Sequence, residues 1–392
     1  MKILHITASY KPAYIYGGPI QSVGKLCEAI ALQAQHHRIN LEIFTTTANG
    51  KTELDVETNK QIEVDGVRVT YFNRWTKDHS HFSPGLLLGL RKVLRQTHKD
   101  NEKIVVHIHA WWNLVSVLSC FIAKWYKVPV VLSPRGMLTG YSQNNRHSFF
   151  KSLIHKTIGR KLLQYCHIHA TSLQEVKDID QIVKPKSVTV IHNLIQISKK
   201  HFNVRNSEST NEQFCFRMIF LSRIEEKKGL ALLFDALAKL ETPWTLTIAG
   251  SGEKKHVESL KQKTEQLKVN DRIKWIGQVS NQDKFELLAQ HDLLVLTSYN
   301  ENFANVVIES LSVGTPVLVS DQVGLSDYVL EKELGWITAL NPADIQKSLL
   351  KATNDYEKRN LIRQEAPMFI AKDFKDNSLV QKYLNLYQNI TY

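Results

Sequence analysis

Short runs of β-branched and other apolar residues alternate with helical patterns along almost the whole chain. This alternation is typical of parallel α/β folds, in which a crossover helix follows each strand. Each half of the chain therefore predicts one doubly wound sheet. The predicted strands lie at residues 3–8, 41–45, 104–109, 128–133, 168–170, 188–191, 217–222, 244–249, 273–276, 293–297 and 316–320.

Two domains are expected, because the chain has 392 residues and a domain averages about 150. The apolar fraction of 43% is that of an ordinary folded protein and excludes a disordered or fibrous one. Residues 201–213 are polar and without periodicity, which predicts a linker between domains at 1–200 and 201–370. Ligands of such folds collect in the cleft between the domains.

Charge is divided unequally, with a formal net charge of +14 in residues 1–200 and −2 in residues 201–392. The basic half indicates an anionic partner, which could be nucleic acid, an anionic membrane surface or a phosphorylated substrate. A solvated basic surface is the alternative.

The cellular location is predicted from what the sequence lacks. The four cysteines show no C-x-x-C spacing and lie far apart in sequence, so we expect no disulfide framework or zinc ribbon. The N-terminal MKILHITASY is typical of a first strand and not of a signal peptide. Residues 111–123 suit a buried helix better than a membrane span. We expect a soluble protein of the reducing cytosol.

The most informative segment is 297–321, where a strand ends at Thr297 and a helix is predicted to begin near Phe303. Glu301 would lie in the loop and Glu309 further along the helix, so that both could face one ligand. Carboxylates bind sugar hydroxyls, and the amides of Phe303, Ala304 and Asn305 at the helix start could bind a phosphate. Two ordinary solvated glutamates are the alternative.

A second segment, FLSRIEEKKGL at 220–230, predicts a strand end at Ser222 and a helix start near Gly229. Arg223 and Lys228 flank the turn. Such cations stabilise the negative charge that grows on a leaving diphosphate. A solvated lysine-rich turn is the alternative.

A third candidate region combines a glycine turn with a strand. Gly17 and Gly18 lack the G-x-G-x-x-G spacing, which argues against a nicotinamide or flavin enzyme. His107 and His109 point to one side of their strand, and His109 lies nearer its end. His109 is therefore a candidate catalytic or ligand-binding residue, with a structural histidine as the alternative. No third ligand follows at regular spacing, so no metal site is expected.

Two further patterns concern helices. Residues 148–163 predict a basic amphipathic helix, which could dock on an anionic bilayer near a lipid-linked acceptor or simply pack on the core. Ser172 and Glu175 have the spacing of a capping box, which is structural.

Together these motifs resemble the family 4 glycosyltransferases of the GT-B fold, which retain anomeric configuration and use nucleotide-sugar donors. The resemblance covers nearly the whole chain, from the Gly17-Gly18 turn through SPRGML at 133–138 to the E-x7-E element of Glu301 and Glu309. It implies two Rossmann-like domains whose parallel sheets face across an interdomain cleft, with a C-terminal helix within 371–392 returning to the first domain. SPRGML followed by a basic helix looks like the branch that builds bacterial capsule, exopolysaccharide and O-antigen (lipopolysaccharide) units.

The resemblance also implies roles for individual residues. Glu301 would bind donor-sugar hydroxyls, Glu309 the ribose, and Arg223 with Lys228 the diphosphate. The remaining positions are the amides of Phe303, Ala304 and Asn305 at the donor, His109 beside the transferred sugar, Gly17 and Gly18 in the reaction cleft, Gly250 and Gly252 beside the nucleotide, and Arg135 at the acceptor. The partners would be a nucleotide sugar and a saccharide or lipid-linked acceptor, with no nucleic acid, no metal and no other cofactor.

Two departures from the family pattern stand out. The E-G-F-G form reads Glu301-Asn302-Phe303-Ala304 here; because alanine tolerates helical dihedral angles, we expect altered fit and no loss of activity. The usual P-N-G reads His192-Asn193-Leu194, which removes a turn glycine.

Three other functions stay open at this stage. A GT-B nucleotide-sugar epimerase would act on the donor alone, without an acceptor. A basic nucleic-acid-binding protein would need an aromatic platform or a reader motif, and neither is evident. A donor-binding protein without catalysis is the third.

Overall fold

The computed structural model describes residues 1–34, 38–139, 159–198 and 215–391. The chain divides into unit 1, formed by Met1–Leu194 with Asp376–Tyr392, and unit 2, formed by Ile195–Lys375. The predicted linker at 201–213 and residues 148–158 of the predicted amphipathic helix lie outside the described residues.

Unit 1 is built on an eight-stranded sheet with a small separate hairpin. Its strands are β1 (Lys2–Ile6), β2 (Asn40–Thr46), the hairpin β3 (Ala48–Asn49) and β4 (Thr52–Glu53), β5 (Gln61–Val64), β6 (Val67–Phe72), β7 (Ile104–His109), β8 (Val130–Ser133), β9 (His167–Ala170) and β10 (Ser187–Val190). The order in the large sheet is β10-β9-β8-β7-β1-β2-β6-β5, and only the β5–β6 pair is antiparallel. The strand order reverses between β1 and β7, where α/β sheets bind ligands.

Helices of unit 1 follow the strands and cover the sheet. They are α1 (Gly18–Ala34), α2 (Pro84–Lys99), α3 (Leu114–Trp125), α4 (Arg160–Leu163) and α5 (Leu173–Asp180). Side-chain caps set three of their starts: Ser83 accepts from the Leu86 amide, Asn113 from the Ser116 amide and Ser172 from the Glu175 amide. Among the described residues, no helix is both long and apolar enough to cross a membrane.

Unit 2 has a six-stranded, wholly parallel sheet. Its strands are β11 (Phe216–Leu221), β12 (Trp244–Ala249), β13 (Ile273–Gly277), β14 (Leu293–Leu296), β15 (Val317–Ser320) and β16 (Gly335–Thr338), in the order β13-β12-β11-β14-β15-β16. The helices are α6 (Leu230–Leu237), α7 (Lys254–Gln266), α8 (Lys284–Ala289), α9 (Asn305–Ser312), α10 (Ser326–Glu331), α11 (Pro342–Asn354) and α12 (Tyr356–Asp373). The order reverses between β11 and β14.

The last helix, α13 (Asp376–Ile390), belongs to unit 1. Its apolar side is fully buried through Leu379, Val380 and Leu384, and Lys25 of α1 pairs with Asp376 at 2.9 Å. Burial of this side removes apolar surface from water, which stabilises the helix on unit 1.

All eleven predicted strands are present, with ends within two residues of those expected. The prediction missed β3, β4, β5, β6 and β16. Strands β3 and β4 have only two residues each, β5 and β6 form a hairpin around Asp65-Gly66, a recognised turn signal, and β16 begins with glycine, which has low strand propensity.

The cysteines are closer in space than their sequence positions suggested. Cys120 on α3 and Cys166 before β9 are buried, and their sulfur atoms lie 3.4 Å apart without a disulfide bond. The two residues are far apart in sequence, and the sheet of unit 1 brings α3 beside the start of β9.

Candidate functional site

Two loops of unit 2 meet where its strand order reverses. The loop after β11 carries Lys228, and the loop after β14 carries Glu301, 73 positions further along the chain. The Lys228 ammonium contacts the Glu301 carboxylate, and their side chains are 6% and 19% exposed. The backbone joins the loops as well, since the Tyr299 amide donates to the Lys227 carbonyl at 2.8 Å. The structure thus brings together two residues that the sequence singled out separately.

Glycines 250 and 252 hold the loop of Arg223 in place. A Cβ atom at Gly250 would lie 1.8 Å from the Ser222 carbonyl oxygen, and one at Gly252 would lie 2.1 Å from the Ile224 carbonyl oxygen. Only glycine permits so close an approach of two backbones. A role for these glycines beside a nucleotide stays a prediction; their observed contacts support the backbone on both sides of Arg223.

The loops bring charged side chains of both signs close together. Arg223, Lys227 and Lys228 lie around the carboxylates of Glu225 and Glu301, with Arg223 and Glu225 paired at 2.6 Å. Burial alone would raise the pKa of Glu301, but Lys228, Lys227 and Arg223 outweigh it and hold that pKa below its usual range. Burial, opposed by Glu301 but reinforced by Lys228, lowers the pKa of Lys227. With Glu226, the two loops carry three cations and three carboxylates, so their formal charges balance.

Glu309 lies within α9 and forms a second ion pair. Its carboxylate accepts from the Lys284 ammonium of α8 at 2.8 Å, and both side chains are 8% exposed. Lys284 could not be identified from the sequence, because a single lysine at a helix start forms no pattern. This pair fixes the orientation of the Glu309 carboxylate, since a buried charge is stable only beside a partner.

The start of α9 differs from the prediction. The helix begins at Asn305, two residues after Phe303, whose buried ring lies 6.3 Å from that of Phe374 between centroids. Ala304 has φ 67° and ψ 73°, which is left-handed backbone and not the helical conformation expected. The family's glycine at this position adopts such angles freely, whereas alanine is strained by about 1–2 kcal/mol.

Ala304→Gly is expected to change the free energy of unfolding by less than about 0.5 kcal/mol. Relief of the left-handed strain stabilises the folded variant, whereas the lost methyl contact and the greater entropy of the unfolded chain destabilise it by a similar amount. Ala289→Gly, at the end of α8, is the matched control and should destabilise by about 1 kcal/mol. Urea titration measures both. An equal loss in the two variants would contradict the left-handed assignment.

In unit 1, His109 ends β7 and is bonded through both ring nitrogens. Its Nε2 lies 2.9 Å from Nδ1 of His5, and its Nδ1 lies 3.3 Å from Nε and Nη2 of Arg135. The residue is 1% exposed. As predicted, His107 points to the same side, with ring centroids 4.2 Å apart. The role of His109 beside a sugar stays a prediction; its ring contacts here are with protein groups.

Arg135 lies after β8, and neutral partners surround its guanidinium. Besides His109, it donates to Ser22 Oγ at 2.9 Å and to Asn193 Oδ1 at 3.2 Å. Among the described residues no carboxylate lies within ion-pair distance of Arg135. Gly18 begins α1, the helix that carries Ser22, so the predicted glycine turn leads into the surroundings of Arg135.

Glu175 supports this loop in a way that its sequence pattern did not reveal. Ser172 caps α5 as predicted, but the Glu175 carboxylate accepts from the Gly136 amide at 2.9 Å and the Thr171 amide at 2.7 Å. It therefore joins the loop after β8 to the end of β9.

The buried histidines of unit 1 are neutral. Burial, with Arg135 nearby, lowers the pKa of His5 and of His169 to about 3, and it holds those of His107 and His109 well below the usual value.

The free energy of unfolding is expected to fall as the pH is lowered from 7 towards 4. The pKa of His5 and His169 is about 3 when folded and near 6.5 ordinarily, so between these values only the unfolded chain takes up the proton. Stability is complete above 6.5 and falls by about 1.4 kcal/mol per pH unit for each histidine. Urea titrations at several pH values test this, with a repeat in high salt as control. If the pH dependence of the free energy of unfolding vanished in high salt, its cause would be surface charge and not the buried histidines.

Comparisons with known proteins match both halves of the chain to glycosyltransferase families. Residues 23–199 match the model of "Glycosyltransferase Family 4", and residues 205–368 match that of "Glycosyl transferases group 1". Glycogen synthase of Mycobacterium tuberculosis is 25% identical over 86% of this chain and 81% of its own length. The GDP-mannose:cellobiosyl-diphosphopolyprenol alpha-mannosyltransferase of Xanthomonas oryzae is 20% identical over 99% of this chain and 97% of its own.

Solved structures share the fold. Anabaena HepE, crystallised in complex with UDP and glucose, superposes with a TM-score of 0.72 at 19% identity and covers 99% of this chain and 100% of its own. Sucrose-phosphate synthase of Thermosynechococcus elongatus has a TM-score of 0.74 at 16% identity, covering 99% and 98%. Both units, with their parallel sheets, thus have counterparts in proteins of the GT-B fold.

Proposed function

Because the chain belongs to the family 4, group 1 glycosyltransferases and has the GT-B fold, we propose that it transfers a sugar, with retention of configuration, from a nucleoside diphosphate to a saccharide or lipid-linked saccharide. The observation that carries this proposal is the contact between Lys228 and Glu301 at the strand reversal of unit 2. This contact supports the proposal, because it brings a cation that would bind a diphosphate next to a carboxylate that would bind sugar hydroxyls.

Unit 2 would bind the donor. Lys228 and Arg223 would bind the diphosphate, with Glu301 on the sugar hydroxyls and Glu309 on the ribose. Lys284 would keep the Glu309 carboxylate oriented through its bond of 2.8 Å. When the glycosidic bond breaks, the electron pair moves to the diphosphate oxygen, and the two cations stabilise the added charge. No metal is needed in this scheme.

Retention would follow from attack on the face from which the diphosphate leaves. The acceptor hydroxyl forms the new bond to the anomeric carbon, and its proton passes to the departing diphosphate oxygen. The diphosphate is thereby both leaving group and base, so no protein carboxylate has to form a covalent intermediate.

Unit 1 would bind the acceptor near Arg135. The guanidinium has neutral partners and a basic domain around it, which favours an acceptor with a phosphate or diphosphate. The Xanthomonas relative is named for a diphosphopolyprenol acceptor, which supports a lipid-linked acceptor of bacterial surface polysaccharide.

A position at the cytoplasmic face of the membrane is part of the same proposal. The net charge of +14 in residues 1–200 would attract an anionic lipid surface. On α3, Phe121 and Trp125 are 45% and 75% exposed on either side of Lys124, a combination suited to the lipid headgroup region. Sedimentation with anionic vesicles, against zwitterionic ones as control, tests this part.

The donor is tested by thermal unfolding with UDP, GDP, ADP, CMP and NAD. A ligand at a hundred times its dissociation constant adds about 2.7 kcal/mol of stability, which raises Tm measurably. We expect one nucleoside diphosphate to act and Glu309→Gln to abolish its effect. No response, or a response to NAD alone, would overturn the proposal.

Transfer itself is tested with the nucleotide sugar so identified. Nucleoside diphosphate should appear only when a saccharide acceptor is added, and NMR of the product should show the anomeric configuration of the donor. Conversion of the donor without acceptor would indicate an epimerase instead.

A further inference from the structure

A continuous chain of hydrogen bonds runs through the core of unit 1 from Arg135 to the backbone of Ile191. Its successive members are Arg135, His109, His5, Tyr387, His107, Ser133, His169 and the Ile191 carbonyl. The six links between Arg135 and His169 measure 3.3, 2.9, 3.4, 2.7, 2.7 and 2.6 Å, and the last, to Ile191, measures 2.8 Å. The four histidines and Ser133 lie on β1, β7, β8 and β9, whereas Tyr387 comes from α13.

The first end of the chain permits one direction of donation. A guanidinium only donates, so Nδ1 of His109 accepts and its Nε2 carries the proton. That Nε2–H donates to Nδ1 of His5, whose own Nε2–H then donates to the Tyr387 oxygen. Cys27, 3.5 Å from His5 Nδ1, would also donate there and leaves the direction unchanged.

The other end requires the same direction. A carbonyl only accepts, so His169 carries its proton on Nε2 and accepts through Nδ1 from the Ser133 hydroxyl. Ser133 in turn accepts from Nε2–H of His107, and His107 Nδ1 accepts from Tyr387. The directions of donation derived from the two ends agree at Tyr387, whose hydroxyl accepts from His5 and donates to His107.

We infer that Tyr387 is a positioning residue for Arg135: its hydroxyl completes a chain of one polarity that keeps the Nδ1 lone pair of His109 aimed at the guanidinium. All four histidines are then neutral with the proton on Nε2. A proton added to Nδ1 of any of these rings would place an N–H donor opposite a neighbour that already donates to that nitrogen. The use of Arg135 for the acceptor rests on the proposed function, whereas the polarity of the chain does not.

A metal ion is a poorer explanation of these histidines. Nitrogen atoms of His5, His107 and His109 lie within 4.8 Å of one another, close enough to bind one ion. Their nitrogens are already used in hydrogen bonds, however, and the guanidinium 3.3 Å from His109 would repel a dication. Added Zn²⁺ should therefore leave their NMR signals unchanged.

The polarity is tested by NMR of ¹⁵N-histidine-labelled protein. In the wild type, His5, His107, His109 and His169 should each show a protonated Nε2 and an unprotonated Nδ1. Tyr387→Phe removes the central link, so the signals of His5 and His107 should shift and show both tautomers. Tyr383→Phe is the matched control, because the hydroxyl of this buried tyrosine of α13 bonds the terminal His169 at 3.0 Å and is not a link between His5 and His107.

The positioning role is tested by kinetics on the same variants. Tyr387→Phe should raise KM for the acceptor by about fivefold to tenfold, with kcat and the donor KM within about twofold, because only the Arg135 contact is loosened. Tyr383→Phe should leave all three values near those of the wild type.

The two parts fail in different ways. The inferred direction of the hydrogen bonds would be overturned if any of the four histidines in the wild type carried its proton on Nδ1. It would also be overturned if Tyr387→Phe left the spectrum unchanged. Equal rises of acceptor KM in both tyrosine variants would show general loosening of α13 and overturn the positioning role. An enzyme inactive with every donor would refute the proposed function. The wild-type spectrum would still show which nitrogen of each histidine carries the proton. It would do so even if Tyr387→Phe failed to fold.

Discussion

Lys228→Met is expected to lower kcat/KM for the nucleotide-sugar donor by about 100-fold to 1,000-fold, a loss of about 3–4 kcal/mol of transition-state stabilisation. Methionine approximately retains the volume of the 6% exposed side chain but removes the charge beside Glu301. The diphosphate would then leave with less compensation for its growing charge. Steady-state release of the nucleoside diphosphate measures the effect, and donor affinity should weaken in parallel.

Lys227→Met is the matched control for this experiment. Lys227 is the preceding residue and also a cation, but its side chain is 33% exposed and lies 3.7 Å from Glu225. Its removal should cost less than about fivefold, as is usual for a solvent-screened pair. Equal losses in both variants would show that only the summed charge matters; full activity of Lys228→Met would exclude Lys228 from the donor site.

Asp292→Ala is expected to destabilise unit 2 by about 3 kcal/mol, because it leaves the largely buried Arg363 and the partly exposed Arg217 without this carboxylate partner. The carboxylate of Asp292 accepts four hydrogen bonds, three from Arg217 of β11 and one from Arg363 of α12 at 2.8 Å. Burial would raise the pKa of Asp292, but the two arginines outweigh it and lower that pKa. The residue therefore joins the start of β11, the start of β14 and α12.

Urea titration of Asp292→Ala tests this prediction, with Asp271→Ala as control. Asp271 is exposed, and within the part of the chain that the structure describes its carboxylate accepts a side-chain hydrogen bond only from Asn270, so its loss should change the free energy of unfolding by less than about 0.5 kcal/mol. Similar small losses in both variants would mean that Arg217 and Arg363 are stable without their carboxylate partner.

Local sequence patterns predicted most of the strands and helices and several of the candidate site residues. Strands and helices follow from short-range periodicity, so they could be predicted, except where a strand was short, polar or began with glycine. Arg223, Lys228, Glu301 and Glu309 could be named because each lies in a motif of characteristic spacing. The direct contact of Lys228 with Glu301 could not be foreseen, since it depends on the order of strands in the sheet.

Other residues had no local signal at all. Lys284 acquires its place only through packing of α8 against α9, where it meets Glu309. His5 and His169 looked like isolated histidines in apolar strands, and Tyr387 like one of many aromatic residues in a terminal helix. Ala304 was assigned helical angles because it stands next to a helix, whereas its left-handed conformation is imposed by the turn that enters it.

The sequence by itself determined the fold class, the family and the chemical type of the residues proposed for the donor site, because those properties depend on residue identity and spacing along the chain. Tertiary structure alone decided which charges are paired, which histidine nitrogen carries a proton and which distant residues support Arg135. Those properties depend on distances of about 3 Å between atoms far apart in sequence, and only the packed sheets bring such atoms together.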